Sequence, residues 1–355
     1  MKYRRILALV TGLVLFLTAA CAGDDGEGNG DGNAAPAGGE DCEQIEEMQV
    51  GHPGLPPDFI QMMLPLAIEL GYMRDNCIEV EIIDFESGVA AFRAMAAGEF
   101  DMGLSGSVSP ILAFGEGAEA VGIAAGGALT DFQTVATGDI ETCEDLKGRS
   151  VATDGPGGLV HAVTEQYLAS CGIDIDQDVE LIVGEPESFV ARIAQGEIEA
   201  TTMHIDERIF AEQELDTELT VLANAWEDVP LFHYTTWSTA RPLLDDPEKR
   251  DQFVRFIEAL LKVGEWLADD ANRDEAVERM AVVSENPESV IEEAYSTFGS
   301  RFPTSCDEMM PMESYEFLID LQVELGNLEE AFPPTDLIDT SVCEEAEEML
   351  AEEGS

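Results

Sequence analysis

The chain has 355 residues, of which 74 are acidic and 17 are basic, and its formal net charge is −57. This charge excludes nucleic acids and anionic lipid surfaces as partners, because both repel a carboxylate-rich protein. Hydrophobic residues still make up 45% of the sequence, so a folded core is expected. Lysine occurs only four times, and this composition resembles that of proteins from halophilic organisms, in which salt screens the repulsion between carboxylates.

The N-terminal segment predicts export. Three basic residues within positions 1–5 precede the apolar run 6–17, which is too short to span a bilayer comfortably. The sequence Thr18-Ala19-Ala20-Cys21 then resembles the lipobox of bacterial lipoproteins, in which the cysteine is lipidated. An ordinary secretory signal cut at these small residues is the alternative. We expect a signal peptide over 1–20 and a lipid anchor on Cys21, at the outer face of the cytoplasmic membrane.

A Gly-rich acidic stretch follows the cysteine, and we interpret residues 21–45 as a disordered tether because they offer little apolar surface to bury. Strand-like runs and amphipathic helices alternate beyond it. Strands are predicted at 48–51, 78–83, 100–103 and 120–124, and helices at 58–70, 88–97 and 110–115.

A second set of elements follows. Strands are predicted at 133–137, 150–153, 180–183 and 200–204, helices at 159–170, 188–195 and 206–213, and a helical turn at 143–146. The runs 219–224 and 233–238 are expected as strands that return to the first lobe, and residues 246–353 as nearly all helical. Alternation of this kind is typical of an α/β protein with mostly parallel sheets flanked by helices. We therefore expect two lobes, one formed by 46–130 and 233–355 and the other by the inserted segment 131–232.

Six cysteines remain besides Cys21, and an even number in an exported protein predicts disulfides. Fifteen pairings are open to six cysteines. We expect neighbours to pair, as Cys42–Cys77, Cys143–Cys171 and Cys306–Cys343. No pair has the spacing of a zinc knuckle, so no metal site is expected.

Four stretches carry a resemblance to a known family. They are Ala67–Tyr72 followed by Cys77–Glu81, Ala96–Gly103, Glu144–Ala152 and Gln195–Ala200. In this order they are similar to motifs of the ABC-transporter solute-binding proteins of the taurine/nitrate/sulfonate/thiamine-precursor type. The resemblance implies a two-lobed periplasmic-binding-protein fold (type II) that closes on its ligand.

The resemblance also implies a function. We expect the substrate-binding component of an ABC importer, which captures a sulfonate, nitrate or a pyrimidine-like solute and delivers it to a permease coupled to an ATPase. A monomer without cofactor is expected. A ligand-sensing receptor of the same fold is the alternative. An enzyme is disfavoured, because the sequence has no Gly-x-Ser-x-Gly, no His-Glu-x-x-His and no cysteine-rich iron motif of the family's pyrimidine-synthesising members.

Ligands in such folds bind at the carboxyl ends of the strands. Ser105–Ser107 offers hydroxyls and backbone N–H groups before a helix, and the loop 153–158 offers glycines that admit close approach. The charge of the ligand stays open, since Arg93, Arg149 and Arg192 all read as surface residues. The predicted ligand-binding residues are Pro53, Phe59, Ser87, Gly88, Ser105, Gly106, Ser107, Asp131, Thr153, Gly155, Gly157, Gly158, His204, Trp226 and Tyr234.

Overall fold

The computed structural model describes residues 42–353 except 86–87, 128, 157, 230 and 300. These residues form two five-stranded sheets surrounded by helices. In this part of the chain, no helix has both the length and the apolar character that crossing a membrane requires.

The strands are β1 (Glu46–Pro53), β2 (Ile78–Phe85), β3 (Met102–Gly106), β4 (Ala120–Gly127), β5 (Gln133–Ala136), β6 (Ser150–Thr153), β7 (Glu180–Val183), β8 (Ala200–Met203), β9 (Thr220–Asn224) and β10 (Thr235–Ala240). The α-helices are α1 (Met63–Glu69), α2 (Tyr72–Asp75), α3 (Gly88–Ala96), α4 (Val108–Gly115), α5 (Leu159–Ser170), α6 (Phe189–Ala194), α7 (Ile205–Glu214), α8 (Ala225–Asp228), α9 (Arg241–Leu244), α10 (Pro247–Ala268), α11 (Arg273–Ser284), α12 (Glu288–Phe298), α13 (Cys306–Met309), α14 (Met312–Glu324), α15 (Pro334–Leu337) and α16 (Ser341–Glu353). Short 3-10 helices cover Phe59–Gln61, Cys143–Leu146, Pro186–Ser188 and Asp270–Asn272.

The two sheets share one plan. The first has the order β2-β1-β3-β10-β4 and the second the order β7-β6-β8-β5-β9. In each sheet four strands run in one direction, and a single strand, β10 or β5, runs against its two neighbours. The expectation of mostly parallel sheets is therefore confirmed.

The two antiparallel strands are the ones that follow the chain crossings. β5 is the first strand of the second sheet and follows β4 of the first sheet, and β10 brings the chain back to the first sheet after β9. The expectation that 219–224 also returns to the first sheet is wrong, because β9 pairs with β5 at the edge of the second.

Two predicted boundaries moved for identifiable reasons. The helix predicted over 58–70 is divided into a 3-10 turn and α1, because Pro65 lacks an N–H and is tolerated only in the first turn of a helix. β3 begins at Met102, where pairing with Val50 of β1 begins. The residue before it, Asp101, instead forms an ion pair with Lys249 at 2.7 Å.

The C-terminal helices build much of the core against the first sheet. α10, 22 residues long, begins at the capping carboxylate of Asp246, which accepts from the backbone N–H groups of Glu248 and Lys249. Near its C-terminal end, Gly264 lies so close to the chain at Pro303 that an added Cβ would come within 1.9 Å of the carbonyl oxygen. Glycine at this position allows the backbones to meet.

Helix α7 of the second sheet is joined to α12 by a polar seam. The buried Arg208 donates to Glu293 at 3.2 Å, and Gln213 donates to the same carboxylate at 2.9 Å. Ser289 in turn donates to Gln213 at 2.8 Å. The seam connects the second sheet to the C-terminal helices independently of the two chain crossings.

The three disulfides form between Cys42 and Cys77, Cys143 and Cys171, and Cys306 and Cys343, as neighbour pairing predicts. The third pair is buried, with exposures of 6% and 0%, and ties α13 to α16. The first pair is half-buried and ties the residues before β1 to those before β2.

We expect the double variant Cys306→Ala/Cys343→Ala to lose about 3–4 kcal/mol of unfolding free energy, since the bond closes a loop of 37 residues. The control is Cys42→Ala/Cys77→Ala, whose loop of 35 residues gives nearly the same entropy term. Chemical denaturation in high salt measures both. An equal loss in the two variants would assign the effect to loop closure, whereas a larger loss at the buried pair would measure lost packing. No loss in either would contradict the expectation.

Candidate functional site

Residues from both sheets meet in one polar group, which we call the His204 cluster. It consists of Asp58, Gln61, Asp131, His204, Asp206, Glu207 and Tyr234. His204 directly follows β8, while Asp131 and Tyr234 precede β5 and β10. Because β5 and β10 run antiparallel to their neighbours, their starts lie at the carboxyl ends of the other strands. The cluster thus lies where open α/β sheets bind ligands.

The imidazole of His204 is held on both sides. Its Nδ1 lies 2.6 Å from Oδ1 of Asp131, and its Nε2 lies 3.1 Å from the hydroxyl oxygen of Tyr234 and 3.4 Å from Oδ2 of Asp58. The amide of Gln61 donates to the Tyr234 hydroxyl. The side chain of His204, which follows a strand of the second sheet, is therefore hydrogen bonded to Tyr234, which precedes a strand of the first sheet.

Aromatic rings form one wall of the cluster. Phe132 lies with its ring centroid 4.5 Å from that of His204 and 5.6 Å from that of Tyr234. All three side chains are largely buried. The cluster opens toward solvent at Asp58, whose side chain is 37% exposed.

The electrostatics of the cluster favour protonation. Burial alone would lower the pKa of His204, but the charges of Asp131 and Asp58 overcome it and raise this pKa well above its ordinary value. Burial, and then the charges of Asp58 and Asp131, raise the pKa of Asp206 to about 7. Burial and the charge of Asp58 raise the pKa of Glu207 to about 8. Near neutral pH, Asp206 and Glu207 therefore hold protons in the folded protein that the same carboxyl groups would release in the unfolded chain.

Several acceptor atoms in the cluster have no hydrogen-bond partner among the described residues. They are Oδ2 of Asp131, Oδ1 of Asp206 and Oε1 of Gln61, and the side chains that carry them are 0%, 3% and 7% exposed. Buried carboxylate oxygens without donors are costly. A ligand or a water molecule that donates hydrogen bonds would satisfy these atoms.

Three predicted ligand-binding residues, Asp131, His204 and Tyr234, are brought together in this cluster. Ser105 on β3 is buried, and its hydroxyl has no partner among the described residues. Ser107 donates instead to the backbone carbonyl of His233 at 2.9 Å. Its hydroxyl thus ties the start of α4 to the segment before Tyr234, while the neighbouring Gly106 ends β3 opposite Thr235.

The glycine-rich loop has an internal role in this structure. Thr153 bonds to Nδ1 of His161 at 3.0 Å, and its hydroxyl accepts from the backbone N–H of Gly155 at 3.2 Å. Asp154 accepts from the backbone N–H of His161 at 2.8 Å, so a carboxylate already occupies the start of α5. An added Cβ on Gly158 would come within 2.1 Å of this carboxyl group. The absence of a side chain at Gly158 therefore makes room for the carboxyl group of Asp154.

Two predicted aromatic contacts point into the core. The ring of Phe59 is fully buried and packs against Tyr295, Phe298 and Phe302. Trp226 packs edge-on against Phe298 with a centroid distance of 5.2 Å. Both side chains are used for packing.

The remaining predicted residues lie elsewhere. Pro53 ends β1 and is paired with Phe85, and Gly88 is the first residue of α3. Ser87, Gly157 and the predicted lipidation site Cys21 lie outside the described residues.

Sequence reasoning missed Asp58, Gln61 and Glu207. Gln61 carried a usable signal, because it is the one polar side chain in the otherwise apolar run 59–68. Asp58 stands directly before this run, after two prolines. Glu207 caps its own helix, accepting from the backbone N–H of His204 at 2.9 Å.

An open surface cavity of about 570 Å³ lies elsewhere, between α14 and residues 331–334. It contains none of the predicted residues. The His204 cluster is the better candidate, because it joins both sheets and contains buried polar atoms without partners. Within the described residues, no group of three or more His, Cys, Asp or Glu side chains is arranged to hold a metal ion.

Comparison with known proteins adds independent findings. A family model described as NMT1/THI5 like matches residues 58–273. YtlA of Bacillus subtilis (strain 168), named as a candidate binding protein, is 21% identical over 286 residues, covering 79% of this chain and 84% of its own length.

Two solved structures have a similar fold. The alkanesulfonate-binding protein SsuA of Xanthomonas axonopodis pv. citri, bound to MOPS, is 17% identical with a TM-score of 0.67, covering 84% of this chain and 100% of that one. The periplasmic nitrate-binding protein NrtA of Synechocystis PCC 6803 is 14% identical with a TM-score of 0.69, covering 87% and 89%.

We expect stability to fall as pH rises from about 4, the ordinary pKa of a carboxyl group, to about 8. The folded protein binds protons at Asp206 and Glu207 over this range, whereas the unfolded chain releases them. Asp206→Asn and Glu207→Gln should each flatten the slope, by up to about 1.4 kcal/mol per pH unit for one proton. Denaturation at constant salt measures this, with the exposed Glu227→Gln as control. Unchanged slopes in both variants would refute the assignment.

Proposed function

This chain belongs to the NMT1/THI5-like family, and from that premise we propose that it is the solute-binding component of an ABC importer. It captures a small solute at the His204 cluster and delivers it to a membrane permease coupled to an ATPase. The observation that carries the proposal is the bond between His204, from the second sheet, and Tyr234, which begins the return to the first. A ligand at this point would touch both sheets at once.

The proposed mechanism is closure of two lobes, formed by 46–130 with 233–355 and by 131–232. The chain crossings between β4 and β5 and between β9 and β10 serve as the hinges. Closure is driven by the ligand's higher affinity for the closed state. The proposal includes no catalytic step, in keeping with solved relatives that are described as binding proteins.

Export of the chain agrees with the periplasmic nitrate-binding relative. We further propose that Cys21 carries a lipid that holds the protein at the outer face of the membrane. The motif Thr18-Ala19-Ala20-Cys21 and the acidic Gly-rich stretch behind it support this, since a flexible tether leaves the lobes free to reach a permease. The acidic composition suits a high-salt exterior.

The binding function predicts ligand-dependent stability. We would screen the exported chain in molar salt against taurine, alkanesulfonates, nitrate, bicarbonate, thiamine precursors, riboflavin, aromatic carboxylates and small amines. A true ligand stabilises the fold by about 2.7 kcal/mol at 100 times its Kd. It should also reduce the radius of gyration measured by X-ray scattering.

His204→Ala should weaken binding of that ligand by at least about tenfold, because the variant removes the residue that joins the two sheets. Glu227→Gln is the matched surface control. A ligand that binds His204→Ala as tightly as the parent would rule out this site. Binding without any change in scattering would rule out the closure mechanism and favour a rigid receptor.

The anchor is tested separately. We expect the parent chain to partition into the detergent phase on Triton X-114 extraction, and Cys21→Ser to partition into the aqueous phase, because the lipid is the proposed hydrophobic attachment. Cys42→Ser serves as control, since Cys42 is in a disulfide and should leave partitioning unchanged. Aqueous partitioning of the parent chain would contradict lipidation.

A further inference from the structure

We propose, on the basis of the solute-binding function above, that the solute held at the His204 cluster is an organic cation. Its N–H groups donate to the carboxylates of Asp131 and Asp206. Ammonium, amidinium and guanidinium groups have this chemistry. The argument rests on the unpartnered atoms of the cluster, on its charge and on its aromatic wall.

The unpartnered atoms all accept hydrogen bonds. One oxygen of Asp131 is bound to His204, and one oxygen of Asp206 accepts from Asn286 at 3.1 Å. Their second oxygens have no donor in the described part of the chain, although both residues are more than nine-tenths buried. The carbonyl oxygen of Gln61 adds a third acceptor. When the two carboxyls are ionised, a ligand that satisfies these atoms must be a donor.

The charge of the cluster points the same way. Four carboxyl groups, those of Asp58, Asp131, Asp206 and Glu207, surround a single imidazole. Across the described ranges, no ion pair links any of the four to an arginine or a lysine. The buried guanidinium of Arg208 donates to Gln133, Glu212 and Glu293 instead. Asp206 and Glu207 hold protons near neutral pH while the site is empty. A neutral donor would satisfy the acceptors, but only a cation would also balance the charge of these carboxyls once they ionise.

The wall of the cluster favours an organic cation over a bare metal ion. The rings of Phe132 and Tyr234 offer apolar and π surface to the body of a ligand, and cations are attracted to such rings. The described residues contain no arrangement of ligating side chains suited to a metal ion.

The test uses pairs of probes that share a shape and differ in charge. The pairs are methylguanidinium with nitrate, 2-hydroxyethylammonium with 2-hydroxyethanesulfonate, and benzamidinium with benzenesulfonate. Thermal shift and calorimetry on the exported chain should detect binding of at least one cation and of none of its anionic counterparts. Asp131→Asn and Asp206→Asn should each weaken the binding of that cation by at least about tenfold. The exposed Asp320→Asn should not.

A second readout separates ligand binding from a merely structural role. A bound cation stabilises ionised carboxylates, so it lowers the raised pKa of Asp206 and of Glu207. The groups that face these two carboxyls are Asp58, Asp131, His204 and Tyr234, and Asp58 is in turn faced by Glu187. Binding near pH 7 should therefore release protons, which calorimetry in buffers of different ionisation enthalpy detects. Affinity should rise with pH, and Asp206→Asn should reduce the release.

Three results would overturn the inference. Binding of the anionic member of any pair at this cluster would leave the solute-binding function intact and refute the charge assignment. Proton uptake on binding would do the same. Failure of every cation to bind would also refute the charge assignment. The solute-binding function would then be tested separately, by the wider ligand panel and by the scattering measurement.

Discussion

The structure depends on an imidazole buried among carboxylates. The charges of Asp131 and Asp58 outweigh burial and raise the pKa of His204 well above its ordinary value, and the Tyr234 hydroxyl completes the hydrogen bonds of the ring. A buried charge of this kind is tolerated only when partners are fixed around it. Those partners lie next to the ends of strands in both sheets. The hydrogen bonds that satisfy the His204 side chain therefore help to fix the place at which the two sheets meet.

The fold could be predicted largely from the sequence because its signals are local. Segments 143–146, 150–153, 159–170 and 180–183 have the predicted bounds, since glycines, caps and apolar spacing mark their ends. The sheet to which β9 belongs could not be read this way, because pairing between strands distant in sequence leaves no local pattern. The disulfides were easier, as each joins cysteines that are neighbours in the cysteine order.

The site was predicted only where its residues stand at strand ends. Asp131, His204 and Tyr234 were found by that rule, whereas Asp58 and Gln61 lie in a loop and a short helical turn whose direction follows from tertiary packing. The role of Gly158 could not be read from the sequence, since its lack of a side chain makes room for Asp154. The proposed cation would differ in charge from the solutes named for the nitrate- and alkanesulfonate-binding proteins that have a similar fold.

The seam between α7 and α12 has a mechanical consequence. In the proposed clamp, Arg208 and Gln213 add a third connection to the two hinges, because both bind Glu293 on a helix that follows both chain crossings. Opening of such a clamp would either carry α12 along with the second sheet or exchange these hydrogen bonds for water. The reach of a few polar side chains would then limit the opening more than the flexibility of the backbone.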